Sequence, residues 1–152
     1  MQIDEADRRL LRHLQADPDL GLAALAERAG LTESTASRRL DRLRARGILQ
    51  RIEAVIDWRA LGWGIAVSLR FTLDKTDPRA FDDFLAAARM VPEVLEIQTF
   101  LGRVDARLMV IARDLAHYQD IYRSRILTLP HVADIEALMH IAEIKSHQGL
   151  PL

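Results

Sequence analysis

Seven arginines fall between residues 28 and 51 (Arg28, Arg38, Arg39, Arg42, Arg44, Arg46, Arg51) against only Glu33 and Asp41, an excess of five positive charges in 24 residues. Every base in that run is arginine, whose planar fork of donors suits phosphate oxygens and the edge of guanine. Small hydroxyls, Ser34, Thr35 and Ser37, stand just ahead of the densest part, and hydroxyl groups also bind phosphates and base edges. A solvated helix face would show the same charge run, so the elements around it must decide. Gly102-Arg103-Val104-Asp105 reads as a hairpin turn, in which the Asp105 carboxylate can serve the turn itself as an Asx turn. The histidines (His13, His117, His131, His140, His147) form no metal-ligand cluster by spacing, and no nucleophile or phosphate-loop motif appears.

Composition sets the frame for these residues. The chain has 152 residues, 21 basic against 22 acidic, a net charge of −1, 49% hydrophobic residues and no cysteine. Half-apolar composition supports a packed core, and the lack of cysteine removes disulfides, thiolate metal sites and cysteine nucleophiles. The longest uncharged runs, such as Ala60–Leu69, are about half of the roughly 20 residues that span a bilayer. The start, MQIDEADRR, lacks the pattern of a signal peptide, and the expectation is a soluble cytoplasmic protein without membrane contact. Near-neutrality argues against a nucleic-acid partner only as an average: residues 1–60 carry 11 bases and 10 acids, and the remainder 10 and 12.

The arginines belong to a helical region. Apolar side chains at 3, 6, 10, 11 and 14 predict an amphipathic helix with Asp4, Glu5 and Asp7 in its first turn, ended by Asp17-Pro18. Leu22–Ala29 reads as a second, short helix stopped by Gly30. Thr32 then caps a third helix with Ala36, Leu40 and Leu43 inward and Ser34, Thr35, Ser37, Arg38, Asp41, Arg42 and Ala45 outward. Gly47 closes it, and an extended segment, a wing or strand, runs from Ile48 to about Asp57. This order is a helix-turn-helix, and its third helix carries the arginines. The predicted DNA contacts are Ser34, Thr35, Ser37, Arg38, Arg39, Arg42 and Arg46.

After a linker the period changes from helical to alternating. Ile65, Val67, Leu69, Phe71 and Leu73 alternate with polar or small residues and predict a half-buried strand. Pro78 opens a helix, Val94–Leu101 and Arg107–Ala112 flank a hairpin, Asp114 caps another helix, and Val132–Lys145 reads as a long final strand. The order βαββαβ predicts a ferredoxin-like α+β sandwich with both helices on one face of the sheet. The other face is expected to carry substantial apolar area, covered by a second copy. The expected division is residues 1–50 as DNA-binding domain, 51–63 as linker strand, and 64–152 as a second, oligomerising domain, to which the resemblance below adds effector binding.

Read end to end, the chain resembles the Lrp/AsnC family of bacterial and archaeal transcription regulators. The resemblance rests on Ile3-Asp4-Glu5-Ala6-Asp7-Arg8-Arg9-Leu10-Leu11, on Leu25-Ala26-Glu27-Arg28-Ala29-Gly30-Leu31-Thr32, and on Arg39-Leu40 through Leu43 to Gly47-Ile48-Leu49. It continues through Ala54, Leu61-Gly62, Gly102-x-x-Asp105, Leu129-Pro130-His131-Val132, Ile144-Lys145 and Leu150-Pro151-Leu152. It implies a winged helix-turn-helix followed by a ligand-sensing βαββαβ domain, a homodimer that assembles to a tetramer or octamer, and small effectors, often amino acids, bound between subunits. Carried over by position, it puts Thr99, Gly102 and Asp105 at the effector site, with Leu138, Met139 and His140 from the last strand. Arg103 and Arg107, where many relatives have aromatic or acidic residues, favour a negatively charged ligand or a changed specificity, or belong to a subunit contact. The implied partner is double-stranded DNA bearing an imperfect palindrome, and no cofactor or metal is implied. The competing readings are a sirohaem-decarboxylase-like enzyme of the same architecture and a plain interaction module.

Overall fold

Asp4 opens the first helix, α1 (Glu5–Ala16), through a reciprocal cap: its carboxylate accepts from the Asp7 N–H at 2.9 Å, and the Asp7 carboxylate accepts from the Asp4 N–H at 3.3 Å. The computed structural model describes residues 3–144 and 150–152. It divides into two compact units, one running to Val55 and taking in the terminal segment from Ile144, the other Ile56–Glu143.

In the first unit α2 (Leu22–Ala29) ends at Gly30, whose φ of 68° lies in the left-handed region, where a glycine carries no Cβ penalty. Thr32 caps α3 (Glu33–Ala45), its hydroxyl accepting from the Thr35 N–H at 3.3 Å. Leu10, Leu14, Leu25, Ala26, Ala29, Ala36 and Leu40 close the small core, so the three predicted helices and their inward stripes are as expected. The extended run from Ile48 joins no strand ladder; Ile52 and Val55 stay exposed. The terminal residues pack here as well. Gln15 accepts from the Leu150 N–H at 2.6 Å, and Arg12 donates to the Leu152 carbonyl at 2.8 Å.

The second unit has the predicted βαββαβ order: β1 (Ile65–Leu73), α4 (Ala80–Arg89), β2 (Val94–Thr99), β3 (Ala106–Ala112), α5 (Leu115–Ile121) and β4 (Val132–Met139). A π-helical turn, Tyr122–Ile126, prolongs α5. The sheet is antiparallel throughout, in the order β2-β3-β1-β4. Val67, Leu69, Phe71 and Leu73 face the helices, where Phe84, Ala88, Ile121 and Ile126 meet them, with the Phe71 and Phe84 rings 4.9 Å apart. β4 stops at Met139, short of the predicted end; Lys145 and His147 lie outside the described residues.

The opposite face of the sheet differs from the expectation. Its centre is ionic: Arg70 pairs with Glu136 at 3.3 Å and Arg107 with Glu96 at 2.9 Å. Exposed apolar side chains collect instead at the margins, Phe100 and Leu101 on the hairpin, Leu138 near the end of β4 and Ile141 just beyond it. Strand register assigns each residue to a face, and it places the charged members of all four strands together.

Candidate DNA-binding and effector sites

The inward stripe of α3 orients its other side chains. Ser34 and Arg38 are exposed, and Thr35 and Ser37 are half-buried on the turns beside them. Thr35 receives a hydrogen bond from the Thr32 hydroxyl at 2.9 Å, whereas Arg38 has no side-chain hydrogen bond or ion pair among the described residues. Arg46 lies exposed at the C-cap of the helix.

Arg39 and Arg42 behave otherwise. The sequence pattern sets Arg42 on the outward face and both residues among the DNA contacts, yet their guanidinium groups turn to α1. Arg39 Nη1 reaches Asp4 at 2.7 Å and Asp7 at 2.9 Å, and Arg42 Nη2 reaches both Asp7 oxygens at 2.9 and 3.0 Å. Asp7 is only 1% exposed, so its charge is neutralised inside the unit by two arginines. The hydrogen bond from Arg39, then that from the Asp7 backbone, hold the Asp4 carboxyl below its usual range. A signal for this was present: Asp7 lies on the same helical stripe as Leu10, Leu11 and Leu14, an inward place for a carboxylate that a reading based on the helix dipole passes over.

At the hairpin, Asp105 is buried and both its oxygens are engaged. Oδ2 accepts from the Leu73 N–H at 2.9 Å, and Oδ1 lies 2.6 Å from Lys75 Nζ. Backbone pairing of β1 with β3 ends at Phe71–Ala106, and the Asp105 side chain supplies the next acceptor along β1. This tie spans 32 residues and is not a local Asx turn. Burial pushes the carboxyl up, but the Leu73 N–H and the Lys75 ammonium together bring it below its usual value.

The predicted effector residues fall into two groups. Thr99, Gly102 and Asp105 surround the hairpin, near the Phe71 end of β1. Leu138 and Met139 pair with Ser68 and Val67, and the His140 N–H donates to the Ala66 carbonyl. The groups are thus separated along β1 by four residues, about 13 Å at strand rise, and one chain does not bring them together. The hairpin group instead adjoins a cavity of about 420 Å³ lined by Arg70, Thr72, Arg103, Val104, Asp134 and Glu136. Register explains four of these: Arg70 opposes Glu136 and Thr72 opposes Asp134, all projecting on the ionic face. The Thr72 hydroxyl donates to the Arg103 carbonyl at 3.2 Å and fixes the rim. Among the lining charges, the Arg103 and Asp134 side chains have no partner among the described residues. Arg70 and Thr72 are not among the predicted site residues; alternation along β1 sets them on the face away from its apolar residues, and their neighbours on β4 depend on register.

Folding also brings together groups that spacing kept apart. His131 Nε2 lies 3.2 Å from Asp83, and Asp77 completes a trio whose ligand atoms fall within 4.8 Å of one another. Asp77 already accepts from the Arg79 N–H at 2.8 Å ahead of α4, so its carboxylate serves that helix start.

A helix-turn-helix with an arginine-bearing third helix, followed by a βαββαβ unit with a polar cavity, defines a DNA-binding protein with a ligand-sensing domain. Comparison with known families agrees: the winged helix-turn-helix DNA-binding family matches residues 3–50, and the Lrp/AsnC ligand binding domain matches residues 66–150. The chain belongs to the Lrp/AsnC family of transcriptional regulators. It is 31% identical to the DNA-binding transcriptional activator DecR of Escherichia coli K12 over 99% of each chain. Among solved structures it is similar to a transcriptional regulator of Neisseria meningitidis in complex with L-Met, with a TM-score of 0.90, 27% identity, and coverage of 99% of this chain and 97% of that one. An AsnC family regulator of Agrobacterium tumefaciens gives a TM-score of 0.89 at 28% identity, covering 98% and 97%. These relatives are regulators, and the enzyme reading is set aside on that ground. No helix among the described residues is long and apolar enough to cross a membrane.

Proposed function

We propose that this regulator acts in the cytoplasm, reading an imperfect palindrome through α3 and changing its DNA binding when a small polar amino acid or related acid occupies the cavity beside the hairpin. The observation that carries the DNA reading is the free face of α3, where Ser34 and the unpaired Arg38 stand opposite a buried leucine stripe. For the effector, Arg103 and Asp134 offer a cation and an anion, complementary to a carboxylate and an ammonium group. Arg107 is spent on Glu96, so one arginine of the hairpin pair remains for the ligand. The Neisseria relative was solved with L-Met, an apolar side chain; the lining here is charged and favours a polar one.

Asp105 serves this site by holding the hairpin rather than by touching the ligand, and Leu138, Met139 and His140 enter it only if a second copy supplies them. The apolar margins of the sheet favour a homodimer, assembling further to a tetramer or octamer. A dimer presents two α3 helices to one duplex, with half-site centres about 10 bp apart or a multiple of that. Selection from a randomised duplex library, followed by mobility shifts with a panel of amino acids, tests both parts. Enrichment of a palindrome whose retention changes with a polar or acidic amino acid, and does not change in Arg103→Ala, is expected. A response to apolar amino acids alone, undiminished in Arg103→Ala, overturns the effector assignment.

A further inference from the structure

The arginine face of α3 is divided by α1. Asp4, the cap of α1, precedes Asp7 by three residues, and Arg39 and Arg42 are three residues apart on α3, so the four groups form a two-by-two lattice between the helices. Asp7, 1% exposed, is its hub, receiving one hydrogen bond from Arg39 and two from Arg42. Arg42 Nε is buried without an acceptor, so the inner edge of the guanidinium group lies against the protein while the side chain as a whole stays 35% exposed. Beneath the lattice Leu10, Leu14, Ala36 and Leu40 belong to one buried apolar cluster, and apolar contacts carry no fixed direction. Charged hydrogen bonds do have fixed directions.

We propose that Asp7, seconded by Asp4, is a positioning residue for DNA reading: it withdraws Arg39 and Arg42 from DNA and uses them to fix the rotation of α3, so that Arg38 is the arginine presented to base edges. This rests on the DNA reading assigned to α3. It revises the sequence-derived contact set, which counted all three arginines alike. With Asp4 and Asp7 included, the local excess of five positive charges falls to three, so the DNA-facing charge is smaller than composition implies.

The test uses the full chain, a duplex enriched from a randomised library by the wild-type protein, and a shuffled duplex of equal length, each titrated across salt. Asp7→Asn keeps the shape of the side chain and removes its charge. Affinity for the enriched duplex is expected to fall roughly tenfold, the scale of one lost base contact. Affinity for the shuffled duplex is expected to hold or rise, because each freed guanidinium adds a phosphate contact and steepens the salt slope by about one. Equal loss on both duplexes makes Asp7 merely structural, and no change on either makes it idle; each overturns the proposal. Arg42→Gln should weaken the enriched duplex with an unchanged salt slope, whereas a slope shallower by about one makes Arg42 a phosphate contact and refutes it. If circular dichroism shows Asp7→Asn unfolded, Asp4→Asn carries the test, since asparagine still caps α1 and only the Arg39 charge pair is lost. Failure of the wild type to enrich any duplex removes the DNA reading itself, a separate outcome.

Discussion

Two single residues carry measurable consequences. Arg38 stands exposed on α3 with no side-chain hydrogen bond or ion pair among the described residues, so Arg38→Ala removes no such interaction from the folded chain. It is expected to weaken binding to a selected duplex by about 1–3 kcal/mol while leaving the thermal midpoint unchanged, and an unchanged affinity would remove it from the reading face. Asp105 is the opposite case, a buried carboxylate with both oxygens in use. Its carboxyl titrates lower in the folded chain than in the unfolded one, so its contribution is complete above about pH 4 and drains away as pH falls through the folded value. Asp105→Asn retains an acceptor for Leu73 but loses the Lys75 pair, about 1 kcal/mol at neutral pH. Thermal melts should show the wild-type advantage closing below about pH 4, and a gap constant with pH would refute the charged role.

At the scale of elements, the helix-turn-helix depends on how α2 passes into α3. Gly30 has φ 68° with open space where a Cβ would stand, so a substitution there meets conformational cost and no clash. Gly30→Ala is expected to lower the stability of the first unit by about 1–2 kcal/mol, read by denaturant unfolding. Thr32→Ala removes the α3 cap and should cost about 1 kcal/mol in the same experiment. Both residues announced their roles in the chain, because a left-handed C′ glycine and a hydroxyl N-cap are local devices. The clamp between α1 and α3 was less legible. Its signal, a carboxylate on a leucine stripe, says that Asp7 is inward, but the partners 32 and 35 residues away follow only from how the helices cross.

For the whole molecule, the two margins of exposed apolar side chains on the sheet are surfaces that a lone chain leaves uncovered. Sedimentation at micromolar concentration is expected to show a dimer or larger species, and a stable monomer would refute self-association through the sheet margins. Replacing Leu101, fully exposed at the hairpin, and Ile141, after β4, by serine should shift that distribution toward smaller species.

The amino-acid order by itself determined the helices, four strands, the βαββαβ sequence and the arginine-rich third helix, because caps, glycines and apolar periodicity act within a few residues. It also determined the family, through motifs spread along the whole length. Tertiary structure decided which charges are free. Net charge counts Arg38, Arg39 and Arg42 alike, whereas packing against α1 engages two of them and leaves one. It decided likewise that the outer face of the sheet is ionic and that Asp105 ties a hairpin to a strand. Each of these depends on register or helix crossing between distant segments, where a shift of one residue exchanges inside for outside.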